Sequence, residues 1–306
     1  MISVVVPCFN EELVIRKTFA RLEAAFVNSE QEIEIIFVND GSSDRTSEVL
    51  ATLSSSPKIV VVPIEFSKNF GHAAAVLAGI KLSCGDVVAI IDADLQDPPE
   101  LLVPMIEKLK SGFDIVYGKR LKREAETIFK KSTAWMFYRL LRFLTDVDIP
   151  ADTGDFRVMT REVADVLKTQ LNEQDPFLRG IVAWVGFRQF PFEYTRERRS
   201  DGETKYTFSK MLRFAMTGVL GFSNAPLYLG VYMSFVSFAV AIASVFYLVY
   251  LKYYAFTVPG WVSIMIVVAL YGALQFLFFG ILGAYIARIN KQVTGRPIFI
   301  VRKSKR

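Results

Sequence analysis

From Met1 to about Tyr117, apolar runs rich in valine and isoleucine alternate with stretches whose apolar residues recur every three or four positions. Ile2 to Val6, Ile33 to Val38, Lys58 to Pro63, Val87 to Ile91 and Asp114 to Tyr117 read as strands. Glu11 to Phe26, Asp44 to Leu53, His72 to Leu82 and Pro99 to Lys110 read as helices. This βαβα order predicts an α/β fold: a mostly parallel, Rossmann-like sheet with helices on both faces. Past Tyr117 the pattern loosens into a charged segment and a helix over about Ala125 to Leu144. A strand pair near Asp155 to Met159 and Phe187 to Tyr194 is expected to extend the sheet.

The C-terminal third follows another pattern. Leu227 to Leu251 and Trp261 to Ala287 hold no charged residue, and each run exceeds the roughly 20 residues that cross a bilayer. They predict two transmembrane helices, with small residues four apart (Ala269 and Ala273, Gly283 and Ala287) suited to close helix approach. Ahead of them, Phe208, Met211, Leu212, Phe214, Ala215, Val219 and Phe222 share one helical face while Lys210 and Arg213 lie on another. That moment suits a helix lying at the membrane surface, or an ordinary helix packed on the domain. The expected division is a catalytic domain over 1–206, an interfacial helix over 207–225, two spans within 226–289 and a basic tail over 290–306.

Charge sets the orientation. The link between the spans carries one lysine, Lys252, whereas Arg288, Lys291, Arg296, Arg302, Lys303, Lys305 and Arg306 follow the second. The positive-inside rule then puts both termini and the catalytic domain in the cytoplasm, at the inner membrane. No basic segment precedes the first strand, so no signal peptide is expected. The net charge of +5 lies largely beside the spans, which favours anionic headgroups and lipid phosphates over nucleic acid. Cys8 and Cys84 have no metal-like spacing and are expected to be reduced.

The chemistry concentrates in Ile90-Ile91-Asp92-Ala93-Asp94-Leu95-Gln96-Asp97-Pro98-Pro99-Glu100, where an apolar strand stops at carboxylates, an amide and two prolines. Open α/β sheets bind ligands at such carboxyl ends. Two aspartates one residue apart are costly unless a cation lies between them, and Mg²⁺ or Mn²⁺ held with substrate phosphates is the natural one. An isolated D-x-D is more simply an acidic turn; its place at a strand end favours the metal. Pro7-Cys8-Phe9-Asn10-Glu11-Glu12, Val38-Asn39-Asp40-Gly41-Ser42-Ser43-Asp44 and Asn69-Phe70-Gly71-His72 end the other strands, with Asn10 and Asp44 as candidate helix caps. Together the four loops describe a nucleotide pocket. G-x-G-x-x-G and the P-loop pattern are both absent, so a metal-bridged sugar nucleotide is the expected ligand.

These motifs, with Tyr117-Gly118-Lys119-Arg120, Asp152-Thr153-Gly154-Asp155-Phe156-Arg157 and Gly202-Glu203-Thr204-Lys205-Tyr206, resemble the family 2, GT-A-fold glycosyltransferases. More narrowly they resemble the polyprenyl-phosphate group: the bactoprenol glucosyltransferases of O-antigen modification, relatives of dolichol-phosphate mannose synthase. The resemblance implies inverting transfer of one sugar from a nucleotide diphosphate, UDP-glucose first among donors, to undecaprenyl phosphate. GDP-mannose and a UDP-aminoarabinose derivative are the rival donors; a processive polysaccharide synthase and an inactive membrane scaffold are more distant alternatives. It implies that Asp92, Asp94 and Gln96 surround the metal, that Pro7, Asn10, Glu11, Asp40, Gly71 and Asp92 hold the donor, and that Asp155 and Asp94 are catalytic. It gathers the acceptor phosphate at Arg120, Arg123, Lys130, Arg199 and Lys205.

Elementary chemistry agrees with those roles. Histidine occurs once, at position 72, so a carboxylate is the expected base. A phosphate monoester has its second pKa near 6, so the acceptor is already largely a nucleophile and Asp155 chiefly orients it. Arg196, Arg198, Arg199, Lys205 and Lys210 crowd ahead of the apolar region, where a lipid phosphate would lie. His72 stands where relatives often have lysine or glutamine. The tail Arg296-Pro297-Ile298-Phe299-Ile300-Val301-Arg302 suits an edge strand, of this sheet or of a neighbouring subunit in a homo-oligomer.

Overall fold

A computed structural model describes residues 1–121, 153–171, 173–197, 218–254 and 260–304. Its centre is an eight-stranded sheet in the order β7-β5-β6-β4-β1-β2-β3-β8. The strands are β1 (Ile2–Cys8), β2 (Ile33–Asn39), β3 (Ile59–Phe66), β4 (Val87–Ile90), β5 (Ile115–Arg120), β6 (Thr153–Thr160), β7 (Gln189–Tyr194) and β8 (Val301–Ser304). The four central strands, β4-β1-β2-β3, are parallel. β6 runs antiparallel to both β4 and β5. The mostly parallel sheet covered on both faces is the predicted architecture.

Among the described residues, the helices that surround or follow the sheet include α1 (Ile15–Phe26), α2 (Thr46–Ala51), α3 (His72–Leu82), α4 (Leu102–Lys110), α5 (Arg161–Thr169), α6 (Leu178–Trp184), α7 (Ala225–Tyr254) and α8 (Trp261–Thr294). One sheet face packs Val4, Val6, Ile35 and Phe37 against α1, α2 and α4. The other packs Val5, Val88 and Ile90 against α3, α5 and α6. Every residue of β1 and β2 is therefore buried, which explains why these strands read as continuous apolar runs. Their polar exceptions, Ser3 and Glu34, are satisfied internally. Ser3 donates its hydroxyl to Glu34 at 2.8 Å, and Gly85 and Cys84 donate backbone N–H groups to the pair at 2.8 and 3.1 Å.

Helix starts differ from the sequence reading. α1 begins at Ile15 with no side-chain cap, because Asn10 is committed elsewhere: its side-chain oxygen accepts from Ser43 N at 2.8 Å. Asp44 does hold the start of α2, accepting from Thr46 N at 3.0 Å, and also from Glu12 N at 3.2 Å. Helices α5 and α6, together 16 residues, have no counterpart among the predicted elements. The expected helix over 125–144 lies outside the described residues.

α7 and α8 contain the two stretches long and apolar enough to cross a membrane. Their close approach falls at Gly230, whose missing side chain admits the Phe278 ring, while Gly283 has no atom near the Cβ position. Bulk on one helix meeting the gap on the other thus replaces the predicted small-residue pairing at Gly283. α8 runs seven residues beyond the predicted span, to Thr294, and its last turns meet the loop before α6. There Arg288 pairs with Glu173 at 3.4 Å and Lys291 with Asp175 at 2.5 Å. Gly295 adopts a left-handed φ of +63° and turns the chain back, and β8 pairs with the edge of β3 in the same chain; it spans Val301–Ser304, so only Val301 and Arg302 of the predicted 296–302 segment are in the strand. Of the predicted interfacial helix, residues 218–222 are described and helical, and Phe222 packs edge-on against Phe177 at 5.9 Å.

Candidate active site

Strand order reverses between β1 and β4, and at such a switch point the loops after adjacent strands part to leave a crevice. The loops after β1 and β2 are laced together. Asn10 N donates to Ser42 Oγ at 2.9 Å, Glu11 N to Thr46 Oγ1 at 2.9 Å, and Asp40 N to the Cys8 carbonyl at 2.9 Å. Asn10 sits at a φ of +56°, a region asparagine tolerates better than most residues.

Asp40, buried at the end of β2, accepts from Phe70 N at 2.6 Å and Gly71 N at 2.9 Å. Burial raises its pKa, and those two donors oppose the rise. Its carboxylate thus fixes the loop after β3 and still has lone pairs for a ligand. Gly71 has a φ of +101° and open space around it, so its requirement is conformational. Gly41 needs both freedoms: its φ is +62°, and a Cβ would collide with the Lys68–Asn69 backbone.

The loop after β4 alternates. Asp92, Asp94 and Gln96 are partly accessible, while Ala93, Leu95 and Asp97 are buried. A turn in which Asp94 accepts from Gln96 N at 3.1 Å, with Leu95 at a φ of +57°, keeps the accessible three on one side. Oδ1 of Asp92 is buried without a hydrogen-bond partner; the nearest cation is His72 Nε2 at 3.6 Å. Desolvation lifts the Asp92 pKa to about 6, helped by Asp155, Asp94 and Asp97 and opposed by His72. An orphaned carboxylate oxygen in a cluster of like charge fits a cation-binding position. Among the described residues no three His, Cys, Asp or Glu side chains converge as ligands. Two carboxylates and an amide would leave most positions to substrate phosphates and water, the usual arrangement for Mg²⁺.

β6 carries Asp155 to the same crevice. Its carboxylate lies 3.1 Å from His72 Nε2, 3.4 Å from Arg179 Nε and 3.6 Å from an Arg157 nitrogen. Enclosure works against its charge, but Arg179, His72 and Arg157 hold its pKa well below the usual carboxylate range. His72 is raised to about 9: partial desolvation opposes its charge, and Asp92 and Asp155 outweigh that. The single histidine thus sits between two carboxylates, which favour its charged form.

Asp97, fully buried, organises a second group. It accepts a short hydrogen bond from the Tyr194 hydroxyl and another from Arg196 Nε at 3.2 Å, and it lies 3.7 Å from Arg120. Arg120 in turn lies against Gly154, beside Asp155. Of the predicted acceptor cations, Arg120 is thus near Asp155; Arg123, Lys130, Arg199 and Lys205 lie outside the described residues. Arg179 and Tyr194 were not predicted. For Arg179 a signal existed: one charge inside the apolar stretch Phe177-Leu178-Arg179-Gly180-Ile181-Val182.

Comparison with known proteins assigns the chain to a family. Residues 3–167 match the model described as glycosyl transferase family 2. The chain belongs to that family. It is 47% identical over 304 residues to "Uncharacterized glycosyltransferase YkcC" of Bacillus subtilis, covering 99% of this chain and 93% of the relative. Identity is 39% to "Uncharacterized glycosyltransferase sll0501" of Synechocystis, covering 98% and 94%. It is 36% to the "SfII prophage-derived bactoprenol glucosyl transferase" of Shigella flexneri, covering 100% and 98%. The family 2 match takes in the four strand-end loops and Asp155; Arg179, Tyr194 and Arg196 lie beyond it.

Proposed function

We propose that the chain is a polyprenyl-phosphate glucosyltransferase, moving glucose from UDP-glucose to undecaprenyl phosphate with inversion at the anomeric carbon. The observation that carries this reading is the placement of Asp155, ionised among Arg179, Arg157 and His72, within reach of the loop bearing Asp92 and Asp94. Full-length similarity to a bactoprenol glucosyl transferase supports the acceptor class.

Pro7, Asn10, Glu11, Asp40 and Gly71 hold the nucleoside end of the donor in this proposal. Asp92, Asp94 and Gln96 would hold Mg²⁺ or Mn²⁺, which when bound supplies Lewis-acid neutralisation of the diphosphate. The acceptor phosphate is largely deprotonated at neutral pH, so Asp155 aligns it more than it removes a proton. In-line alignment of two bound reactants is a large part of catalysis in such displacements. Arg120, with Arg123, Lys130, Arg199 and Lys205, supplies charge for the lipid phosphate. In this reading the catalytic domain works at the cytoplasmic face of the inner membrane, anchored there by the two apolar helices.

The test is transfer to undecaprenyl phosphate by purified full-length protein, offered radiolabelled UDP-, GDP- and dTDP-sugars and assayed by solvent extraction. UDP-glucose alone should label the lipid. Labelling from GDP-mannose or a UDP-aminoarabinose derivative would reassign the donor, and no lipid label from any donor would refute the proposal.

A further inference from the structure

The end of the chain reaches further into the catalytic domain than anchoring requires. Where β3 ends, Ser67 donates its N–H to the Ile300 carbonyl at 3.0 Å. From there the chain turns into residues 67–71, the loop closed by Phe70 and Gly71. The Phe299 ring lies parallel to Phe66, with centroids 5.2 Å apart and planes 7° apart. Phe70 stands edge-on to the same Phe66 ring at 5.7 Å. On its inner side the loop is gripped by Asp40, which accepts from Phe70 N and Gly71 N, and it lies hard against Gly41. The loop is a thin layer between the turn after β2 and the tail. Thin surface layers open at little cost unless something packs on them, and here the tail does so.

We infer that the C-terminal tail is part of the donor site, with Phe299 and Ile300 acting as positioning residues for the 67–71 loop. Ile300 meets the loop at Ser67, and Phe299 acts on it through Phe66, the ring that Phe70 also packs on; the inference rests on the reading of Asp40 and Gly71 as donor residues. The tail is covalently continuous with α8, so the wall behind the donor loop is fastened to one of the two apolar helices. Donor affinity is thereby tied to a segment remote in sequence from every nucleotide-binding motif.

The test is calorimetric titration of the full-length protein in detergent, with Mn²⁺ and whichever of UDP or GDP the unaltered chain binds. The variants are Phe299→Ala, Phe299→Leu and Asp40→Asn. Loss of an aromatic contact of this kind should weaken nucleotide binding by about 3- to 10-fold in Phe299→Ala. Phe299→Leu, which keeps apolar bulk, should fall between and decides the matter if the alanine variant does not fold. The rise in donor KM should exceed any fall in kcat, and amide exchange over 67–71 should quicken. If Asp40→Asn weakens binding while both Phe299 variants keep the unaltered affinity and exchange, the inference is overturned and the donor assignment stands. If Asp40→Asn also binds normally, the donor assignment fails and takes the inference with it.

Discussion

Replacing Arg179 by methionine tests whether the cations around Asp155 serve the reaction or only the fold. The Arg179 guanidinium lies 3.4 Å from one Asp155 oxygen and 3.5 Å from the other. At an effective dielectric constant of about 20 that attraction is worth roughly 5 kcal/mol before desolvation is subtracted. His72 at 3.1 Å and Arg157 at 3.6 Å remain in the variant, so the carboxylate stays paired. The net loss should be about 1–3 kcal/mol, the range for a hydrogen bond to a charged group. If Asp155 must point at the acceptor, that loss appears in kcat as a fall of about 10- to 100-fold, with donor KM little changed. Arg179→Lys keeps the charge without the two-pronged fork and should lie between. Removing a cation also lets the Asp155 pKa rise, so the acid limb of the kcat profile should move to higher pH. The assay is lipid-extracted transfer to undecaprenyl phosphate across a pH series, with the thermal midpoint of each variant measured alongside. A variant that loses thermal stability yet keeps kcat within twofold and an unmoved acid limb would refute the argument, leaving Arg179 a structural ion pair.

Three further outcomes follow from the same geometry. Asp94→Asn should abolish transfer and weaken Mn²⁺-dependent nucleotide binding, whereas Asp155→Asn should abolish transfer and spare nucleotide binding; near-normal turnover in both would show the site to be misassigned. Gly41→Ala forces a left-handed alanine into the Lys68–Asn69 backbone and should cost about 2–4 kcal/mol, read as a lowered denaturation midpoint and weaker nucleotide binding. His72 has a raised pKa and Asp155 a lowered one. The pair's contribution to stability is therefore complete between about pH 4 and 6.5. It is lost on the alkaline side as pH rises through about 9, and on the acid side as pH falls through the depressed Asp155 value. Because His72 is half-exposed, its share should be only about 1 kcal/mol. Subtracting the melting profile of His72→Gln from that of the unaltered, metal-free protein should reveal an alkaline decline, and a flat difference would exclude the pairing.

Legibility in the sequence followed the range of the interactions. β1 to β5 and α1 to α4 could be read because each is a local pattern, and the strands are unbroken apolar runs since the sheet is covered on both faces. Helix α6 could not: it has seven residues and is apolar on nearly every position, so it shows neither a clean helical period nor a strand alternation, whereas α5 was missed although Val163, Ala164 and Leu167 recur at helical spacing. Asn10 misled because a side chain preceding a helical stretch looks like a cap, and only the three-dimensional neighbour Ser43 shows what it binds. The tail's edge strand was legible only in part, since Ile298, Phe299 and Ile300 precede β8 (Val301–Ser304); the edge it joins depends on α8 continuing past the apolar span and turning at Gly295.

The same distinction separates the two halves of the site. Its anions are clustered in sequence: Asp92, Asp94 and Asp97 lie within six residues, because a ligand held at one strand tip is served most simply by the loop that leaves that strand. Its cations come from everywhere: His72 from the start of α3, Arg120 from the end of β5, Arg157 from β6, Arg179 from α6 and Arg196 from beyond β7. Like charges gathered by local sequence repel, and at Asp92 burial, with that repulsion added, lifts the pKa to about 6. Opposite charges must then come from elements distant in sequence. Arg196 and Arg120 on Asp97, and Arg179 on Asp155, are such partners. The acidic loop can therefore be recognised before the fold is known, whereas the cations that face it and Asp155 are set by α6, β6 and β7, the elements whose packing the local pattern reveals least.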